Sequence, residues 1–238
     1  MTTCLYVGGS SKGVGKTFIA LGLLRSLSRH HKVSGWKPVD VGHVNYNAAD
    51  VLTDGERLQQ AAQMTEHPNL VNPFLFNEDL PPVLAAQWDG VTPRIKTLQH
   101  YFQIICGNFE HTIIEGGRGL YTPLIATETE MDLLTSWQPK VLWVTTIGER
   151  ELSETLLQVK TLQQHQINVV GIILNNRKNS KHSDLIHYQW LTLEEQLQIK
   201  VLALVPFLPS GLDDSDAIYG LLHKHLDKEY LGLLEGTS

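Results

Sequence analysis

The feature that most constrains this chain is an apolar segment that leads directly into a glycine-rich turn and then into an amphipathic run. The apolar segment begins at Cys4, the turn and its last residues span Gly9–Thr17, and Phe18–Leu27 carries apolar residues at helical spacing. Glycines lack a Cβ, so successive backbone N–H groups can point at one anion, and the helix adds the positive end of its dipole. The pattern therefore predicts a strand, loop and helix that cradle a phosphate group.

A lysine and a threonine complete this loop as a motif for nucleotide triphosphates. Lys16 is expected to reach the β- and γ-phosphates, and the Thr17 hydroxyl is expected to hold Mg²⁺. The spacing is a variant, because five residues separate Gly9 from Gly15. The alternative is a glycine-rich turn with an incidental lysine, against which the flanking strand and helix argue. The predicted nucleotide contacts in the loop are Gly9, Lys12, Gly13, Val14, Gly15, Lys16 and Thr17.

Composition and charge narrow the class of protein. With 238 residues, 42% of them hydrophobic, the chain can bury one large core, and residues 1–238 are treated as a single domain. The net charge of −6, without a dense run of lysine and arginine, argues against a nucleic-acid partner. The first residues lack the pattern of a secretory signal and no apolar run approaches ~18 residues. We therefore expect no membrane partner and a cytoplasmic location.

The cysteines and histidines carry no predicted chemistry. Cys4 and Cys106 are expected to be two small packing residues in a reducing compartment rather than a disulfide. The histidines, among them His30 and His31, lack partners at zinc-like spacing and are predicted to be solvated or to cap helices. No metal site built on histidine is therefore expected.

Continuous apolar runs alternate with amphipathic runs along the chain. Strands without polar alternation, separated by helices, predict an α/β fold of the P-loop NTPase type, with a mostly parallel sheet covered on both faces. The proline-containing stretch 68–82 is predicted to be a loop-rich insertion near the site. Further strands are predicted at Val33–Val39, Thr112–Ile114, Val141–Thr146, Asn168–Leu174 and Val201–Val205. Helices are predicted at Phe18–Leu27, Thr53–Met64, Thr92–Cys106, Glu151–His165 and Asp184–Gln198.

Polar residues follow several of these strands. Besides the glycine-rich loop, Lys37, Glu115 and Asn175 each stand at the end of a predicted strand. Because open α/β sheets bind ligands at the carboxyl ends of their strands, we expect these residues to meet at one edge. A lysine there could neutralise a transferring phosphoryl group, or it could be a surface lysine whose stem packs on the protein. Glu115 has the position of a Mg²⁺ ligand, with a capping role as the alternative.

Two further residues near these strand ends could take part. Asp50 lies in the loop after Lys37 and could be a second carboxylate on the same Mg²⁺ ion. Arg118, in the turn after Glu115, could clamp a phosphate or a carboxylate through two N–H groups, or it could be a solvated turn residue.

The order and spacing of these segments resemble those of the dethiobiotin synthetase family over nearly the whole chain. Gly-Lys-Thr is shared by many NTPases, whereas the Lys-Pro-Val and Glu-Gly-x-x-Gly segments together are much more discriminating. The segments that carry the resemblance are Gly9, Gly15–Thr17, Gly35–Val39, Ala49–Asp50, Asn72–Phe74, Ala85–Gln87, Glu115–Leu124 and Asn175.

The resemblance implies a homodimeric, ATP- and Mg²⁺-dependent enzyme of biotin biosynthesis. In that family an amine of 7,8-diaminononanoate takes up CO₂, the carbamate attacks the γ-phosphate of ATP, and the second amine closes a cyclic urea. By position, Lys16 and Lys37 would stabilise the transferring phosphoryl group, and positioning and charge neutralisation are what this chemistry needs. The implied Mg²⁺ ligands are Thr17, Asp50 and Glu115, and the implied nucleotide contacts include Asn175, which would read the adenine edge, and Pro206, which ends the last strand.

The chain departs from the family pattern where the substrate is expected. Ser10–Val14 replaces an acidic segment with one that contains a lysine, and Asp40–Gly42 replaces the usual Ala-Ser-Gly. Gly148–Glu154 replaces a segment that reaches the neighbouring subunit's substrate carboxylate, and its additional acids would repel a carboxylate unless Arg150 or Lys12 compensates.

Two alternatives to a dethiobiotin synthetase stay open on the sequence. One is a related ATP-dependent ligase with another carboxylate or amine substrate. The other is a nucleotide-binding switch of the partitioning-ATPase type. Such a switch would usually carry a lysine at the position of Ser11, and Lys12 is one residue away.

Overall fold

Helices and strands alternate along much of the chain, as expected. The computed structural model describes residues 3–43, 52–125 and 127–208. Its strands are β1 Thr3–Gly9, β2 Val33–Trp36, β3 Val39–Val41, β4 Phe74–Phe76, β5 His111–Glu115, β6 Lys140–Thr146, β7 Val169–Asn175 and β8 Val201–Val205. Its helices are α1 Lys16–Leu27, α2 Asp54–Ala62, α3 Pro68–Val71, α4 Pro82–Trp88, α5 Ile95–Asn108, α6 Glu130–Trp137, α7 Glu149–Gln164 and α8 Ser183–Leu197.

Six of the strands form one parallel sheet in the order β2-β5-β1-β6-β7-β8. The strand before the glycine-rich loop therefore lies in the interior of the sheet, between β5 and β6. The short strands β3 and β4 pair in parallel as a second, two-stranded sheet beside it. The predicted α/β fold with a parallel central sheet is confirmed.

Both faces of the sheet are buried. Because successive side chains of a strand point in opposite directions, neighbouring residues of one strand pack on different faces. On one face, Val7 of β1 packs with Leu24 of α1 and Leu58 of α2. On the other face, Tyr6 of β1 shares a core cluster with Trp36, Trp143 and residues of α5 to α8. Burial on both faces explains why the strands read as continuous apolar runs.

The structure differs from the sequence prediction in three places. The predicted strand Val33–Val39 ends at Trp36, and Val39–Val41 forms a separate strand that pairs with β4. The helices α3, α4 and α6 and the strand β4 were not predicted. Cys4 and Cys106 are joined in a disulfide, with Cα atoms 6.7 Å apart, so the prediction of two unpaired packing residues was wrong. β1 and α5 bring them together from positions 102 residues apart.

Within the described part of the chain, no helix combines the length and the apolar character that crossing a bilayer requires.

Candidate functional site

The glycine-rich loop follows β1 and leads into the first turn of α1. Gly13 and Gly15 have φ angles of 82° and 105°, a region that side chains with a Cβ rarely occupy. A Cβ on Gly9 would lie 2.6 Å from Val14 and 2.8 Å from the carbonyl of Val144. Glycine is therefore required at each of these positions, and the N–H groups of the first turn of α1, which lack helical partners, are directed toward the loop.

A cavity of about 270 Å³ opens beside this loop at the carboxyl end of the sheet. Residues from the loop, from the ends of β2 and β5, from β3 and from the start of α2 line it. The predicted site residues on its wall are Lys12, Gly13, Gly15, Lys16, Thr17, Lys37 and Glu115. The expectation that the strand ends would bring these residues to one edge is therefore correct.

Five charged or hydroxyl-bearing side chains meet at the bottom of the cavity, and we call them the floor: Lys16, Thr17, Lys37, Asp54 and Glu115. Glu115 Oε1 accepts hydrogen bonds from Lys37 Nζ and from Thr17 Oγ1, both at 2.7 Å. Asp54 Oδ2 lies 3.4 Å from Thr17 Oγ1 and 3.9 Å from Lys37 Nζ. The floor thus joins two ammonium groups, two carboxylates and one hydroxyl.

Lys37 is held as an ammonium by the acids around it. The side chain is buried, and burial alone would lower its pKa, but Glu115, Asp40 and Asp54 outweigh that effect and raise the pKa above its ordinary value. Its Nζ also donates to the carbonyl of Gly116 at 3.3 Å. Lys37 is therefore a fixed positive charge, and the alternative of a solvated surface lysine does not describe it.

Lys16 is buried as well, but the acids around it do not outweigh the effect of burial on its pKa. Burial, followed by the repulsion of the Lys37 ammonium, lowers its pKa to about 8. Its Nζ donates to the carbonyl of Ser11 at 2.9 Å, across the glycine-rich loop. An incoming anion would favour the charged form of this lysine.

The acidic part of the floor fits a small divalent cation. Glu115 is only 2% exposed, and its Oε2 has no hydrogen-bond partner among the described residues. This oxygen, the Thr17 hydroxyl and the Asp54 carboxylate together form a set of the hard oxygen ligands that Mg²⁺ prefers.

The prediction about Asp50 lies outside the described residues. Asp54 is the acid found beside Thr17, and sequence reasoning missed it. It is the first residue of α2, and its helix begins with a capping box between Thr53 and Glu56. The capping box marks the start of α2 in the sequence, and the fold brings Asp54 to the edge where the glycine-rich loop lies.

Three side chains hold the glycine-rich loop from behind and from its side. Asn175 Nδ2 donates to the carbonyl of Val14 at 2.9 Å, and Gln158 Nε2 donates to the carbonyl of Ser10 at 3.0 Å. Arg177 Nη1 donates to the carbonyl of Gly13 at 2.6 Å. Asn175 is buried next to the loop, so the contact that it makes here is with the backbone of the protein.

An ion-pair bridge crosses the mouth of the cavity, and we call Lys12, Asp79 and Arg118 the rim. Lys12 Nζ lies 2.6 Å from Asp79 Oδ2, and Arg118 pairs with the other oxygen of the same carboxylate. The two cations lower the pKa of Asp79. Lys12, a predicted nucleotide contact, and Arg118, a candidate clamp for a phosphate or carboxylate, are therefore both paired with an acid of the same chain.

Two acids at the start of α7 are also paired with cations. Arg150 binds Glu154 at 2.7 Å, and Glu151 binds Lys178 at 2.6 Å. Gln189, from α8, accepts a hydrogen bond from the N–H of Gly148 at 2.9 Å. Glu151 and Glu154 are thus each compensated by a neighbouring cation.

A histidine-containing group lies at the opposite, amino-terminal edge of the sheet. The nitrogen and oxygen atoms of His31, Glu110 and His111 that could bind a metal lie within 4.8 Å of one another. His31 Nδ1 contacts Glu110 Oε2 at 3.0 Å, so this histidine is paired with an acid rather than only solvated. The group is remote from the cavity in the fold.

The chain matches a family model described as an AAA domain over residues 3–213. It is 29% identical over 206 residues to a protein of Anaeromyxobacter dehalogenans (strain 2CP-1) named ATP-dependent dethiobiotin synthetase BioD, covering 86% of this chain and 90% of that one. A protein of Anaeromyxobacter sp. (strain K) with the same name is 31% identical over 172 residues, which cover 72% and 75% of the two chains.

Solved structures with a similar fold have much lower sequence identity. The septum site-determining protein MinD of Pyrococcus horikoshii OT3, solved with Mg-ADP, superposes with a TM-score of 0.60 at 18% identity, covering 98% of this chain and 99% of that one. A ParA family ATPase of Chlorobium tepidum TLS superposes with a TM-score of 0.57 at 15% identity, covering 98% of each chain. These likenesses confirm the fold.

Proposed function

Because the chain belongs to the dethiobiotin synthetase family, and is therefore an ATP-dependent enzyme, we propose that it converts 7,8-diaminononanoate, CO₂ and ATP into a cyclic urea, ADP and phosphate. One amine adds to CO₂ and gives a carbamate, whose oxygen attacks the γ-phosphorus as ADP leaves. The second amine then attacks the carbamoyl carbon, and phosphate leaves as the ring closes. No protein nucleophile takes part in this sequence.

The observation that carries this proposal is the pair of hydrogen bonds by which Glu115 Oε1 holds Lys37 and Thr17 beside the phosphate loop. Phosphoryl transfer depends on fixed positive charge around the moving group, and Lys37 supplies such a charge at the bottom of the cavity. Lys16, at the start of α1, would act on the β- and γ-phosphates from the other side. The two lysines together would stabilise the charge that spreads over the γ-phosphoryl oxygens.

Thr17, Asp54 and Glu115 would hold a Mg²⁺ ion, which when bound neutralises phosphate charge and orients the transferring group. Asp50 stays a further prediction as a ligand. Glu115 also orients Lys37 through its Oε1, so one carboxylate would position both the lysine and the site of the cation.

Several parts of the proposal rest on the family alone. Reading of the adenine edge by Asn175, and contact of Pro206 with the nucleotide, stay predictions, as does assembly into a homodimer. A cytoplasmic location also stays a prediction, because the thiols of a disulfide such as Cys4–Cys106 are usually kept reduced in the cytoplasm.

The decisive experiment incubates the purified chain with ATP, MgCl₂, bicarbonate and 7,8-diaminononanoate, and follows the cyclic urea by mass spectrometry. We expect urea and ADP in equal amounts, and no urea when any one component is left out. A Lys37→Met variant should form urea about 10³-fold more slowly, while a Lys96→Met variant, changed on the exposed surface of α5, should match the wild type.

The other outcomes distinguish the alternatives. Hydrolysis of ATP that the diamine stimulates without urea formation would indicate a ligase for a different substrate. Hydrolysis that the diamine leaves unchanged, and that a partner protein stimulates, would indicate a nucleotide-dependent switch. Either result would contradict the proposed reaction.

A further inference from the structure

A second buried carboxylate faces the cavity, and the proposed phosphoryl chemistry does not use it. Asp40 lies in β3, three residues after Lys37, and is only 7% exposed. Its side chain lines the same cavity as the floor. One of its oxygens, Oδ1, accepts a hydrogen bond from the N–H of Val41 at 2.9 Å.

The other oxygen, Oδ2, is buried and has no hydrogen-bond partner within residues 3–43, 52–125 and 127–208. Leaving a buried polar atom unpaired is costly, and the cost is larger for a charged group. Buried side-chain oxygens are accordingly almost always paired. Because Asp40 lines the cavity, a ligand bound there is the group that could supply the missing partner of Oδ2.

The neighbouring cations are engaged elsewhere. Lys37 Nζ bonds Glu115 and the carbonyl of Gly116, and Arg118 pairs with Asp79. Burial, together with the charge of Asp54, raises the pKa of Asp40, while Lys37, the N–H of Val41 and Arg118 act in the opposite direction. Asp40 therefore has both acids and cations around it. An additional N–H group that donates to its unpaired oxygen would be stabilised there.

The partner that fits this oxygen is an N–H group of the substrate rather than a phosphate or a carboxylate. A second anion at this place would be repelled by Asp40 and by Asp54. An amine or ammonium can donate to Oδ2, and Asp40 stands on the strand that extends the chain from Lys37 along the cavity wall.

We propose that Asp40 Oδ2 accepts a hydrogen bond from an amine of the substrate and thereby selects amine-bearing substrates at this site, an inference that rests on the proposed function for the identity of the amine. Asp40 is a binding residue in this proposal. It holds the amine beside the floor, where the carbamate oxygen has to meet the γ-phosphate, and the rate gain comes from this placement.

The test is a binding experiment that does not require turnover. Calorimetry with the chain saturated with Mg²⁺ and a non-hydrolysable ATP analogue compares 7,8-diaminononanoate with nonanoate, which has the same carboxylate and chain length but no amines. We expect the wild type to bind the diamine at least about 10-fold more tightly than nonanoate. Asp40→Asn and Asp40→Ala should weaken diamine binding about 10- to 100-fold and leave the affinities for nonanoate and for the nucleotide unchanged.

Unchanged nucleotide affinity reports that each variant is folded, and Asp184→Asn, an exposed carboxylate in the first turn of α8, serves as the matched control. In steady-state assays the KM for the diamine should rise in Asp40→Asn while the KM for ATP stays constant. Diamine binding by Asp40→Asn equal to that of the wild type would overturn the inference, and so would a wild type that does not distinguish the diamine from nonanoate. Selective, Asp40-dependent diamine binding without urea formation would instead leave the inference standing and overturn the proposed reaction.

Discussion

The floor and the rim of the cavity carry charges of both signs, but they hold them in opposite ways. On the floor, Lys37 and Glu115 are 6% and 2% exposed and share a hydrogen bond of 2.7 Å. On the rim, the side chains of Lys12 and Asp79 are 60% and 42% exposed. A buried charge cannot leave its partner without a large desolvation cost, whereas an exposed pair exchanges readily with water and salt. The floor is therefore suited to chemistry that demands fixed geometry, and the rim to weaker, exchangeable contacts with a charged ligand.

The largest effect that this comparison predicts is at Lys37. We expect Lys37→Met to lower kcat about 10³-fold, because a preorganised charge at the transferring phosphoryl group is lost. The affinity for Mg·ATP should change much less, since the loop and Lys16 still bind the phosphates. Single-turnover kinetics with ATP and the diamine, together with nucleotide titrations, measure the two quantities.

Stability must be separated from chemistry in this variant, because Lys37→Met leaves Glu115 buried without its ammonium. Removal of one partner of a buried pair costs about 3–5 kcal/mol. The double variant Lys37→Met/Glu115→Gln should recover most of that loss in urea unfolding but none of the turnover. Recovery of turnover would mean that Lys37 only maintains the fold.

How much of this site the sequence predicts depends on what each residue needs around it. The glycine-rich loop, Lys37 and Glu115 follow from local patterns, because a buried parallel strand ends where its apolar run ends and the carboxyl ends of such strands share one edge. Asp54 was missed because its role depends on where α2 begins relative to Thr17, which is a tertiary relation.

The part of the cavity wall that β3 forms was harder to predict, because it too depends on a tertiary relation. The Val33–Val39 run reads as one strand, but Lys37 and Pro38 leave the main sheet, and Val39–Val41 pairs with β4 instead. That change of sheet is what puts Asp40 in the cavity. Helix α6 was missed although its start carries a local signal, because the backbone N–H and the hydroxyl of Thr129 donate to Asp132, three residues further on.

The next prediction concerns the acid that the sequence did not reveal. Asp54→Asn keeps the shape of the side chain but removes its charge, so we expect the Mg²⁺ concentration for half-maximal activity to rise about 10-fold or more. Activity at saturating Mg²⁺ should largely return. Titration of the ATP-dependent rate with MgCl₂ measures this, and Asp184→Asn is again the control, because it removes a carboxylate from the first turn of a helix outside the cavity. An unchanged Mg²⁺ requirement would exclude Asp54 as a ligand.

The pH dependence of nucleotide binding tests the difference between the two floor lysines. Because the pKa of Lys16 is lowered to about 8, its ammonium is lost above that pH, whereas Lys37 stays charged. Only the ammonium attracts phosphate, so the Kd for ATP should be flat below about pH 8 and rise toward about 10-fold per pH unit above it. A Lys16→Arg variant should lack this rise, because arginine does not lose its proton in that range. If calorimetry of the wild type showed the same affinity for ATP below and above about pH 8, this interpretation of Lys16 would be wrong.

The smallest effects are expected on the rim, where the variant should bind an anionic ligand more tightly rather than lose activity or affinity. Asp79→Ala releases Lys12 and Arg118 from the acid that they share, so an anionic ligand should bind somewhat more tightly, by about 2- to 5-fold, which corresponds to the modest energy of exposed pairs. The gain should disappear at about 0.5 M NaCl, because exposed charges are screened. Nonanoate and ATP titrations of the wild type and the variant at low and high salt measure it. A change larger than about 10-fold, or one that salt leaves intact, would show that the rim holds its charges as firmly as the floor does, and the contrast between the two regions would then be wrong.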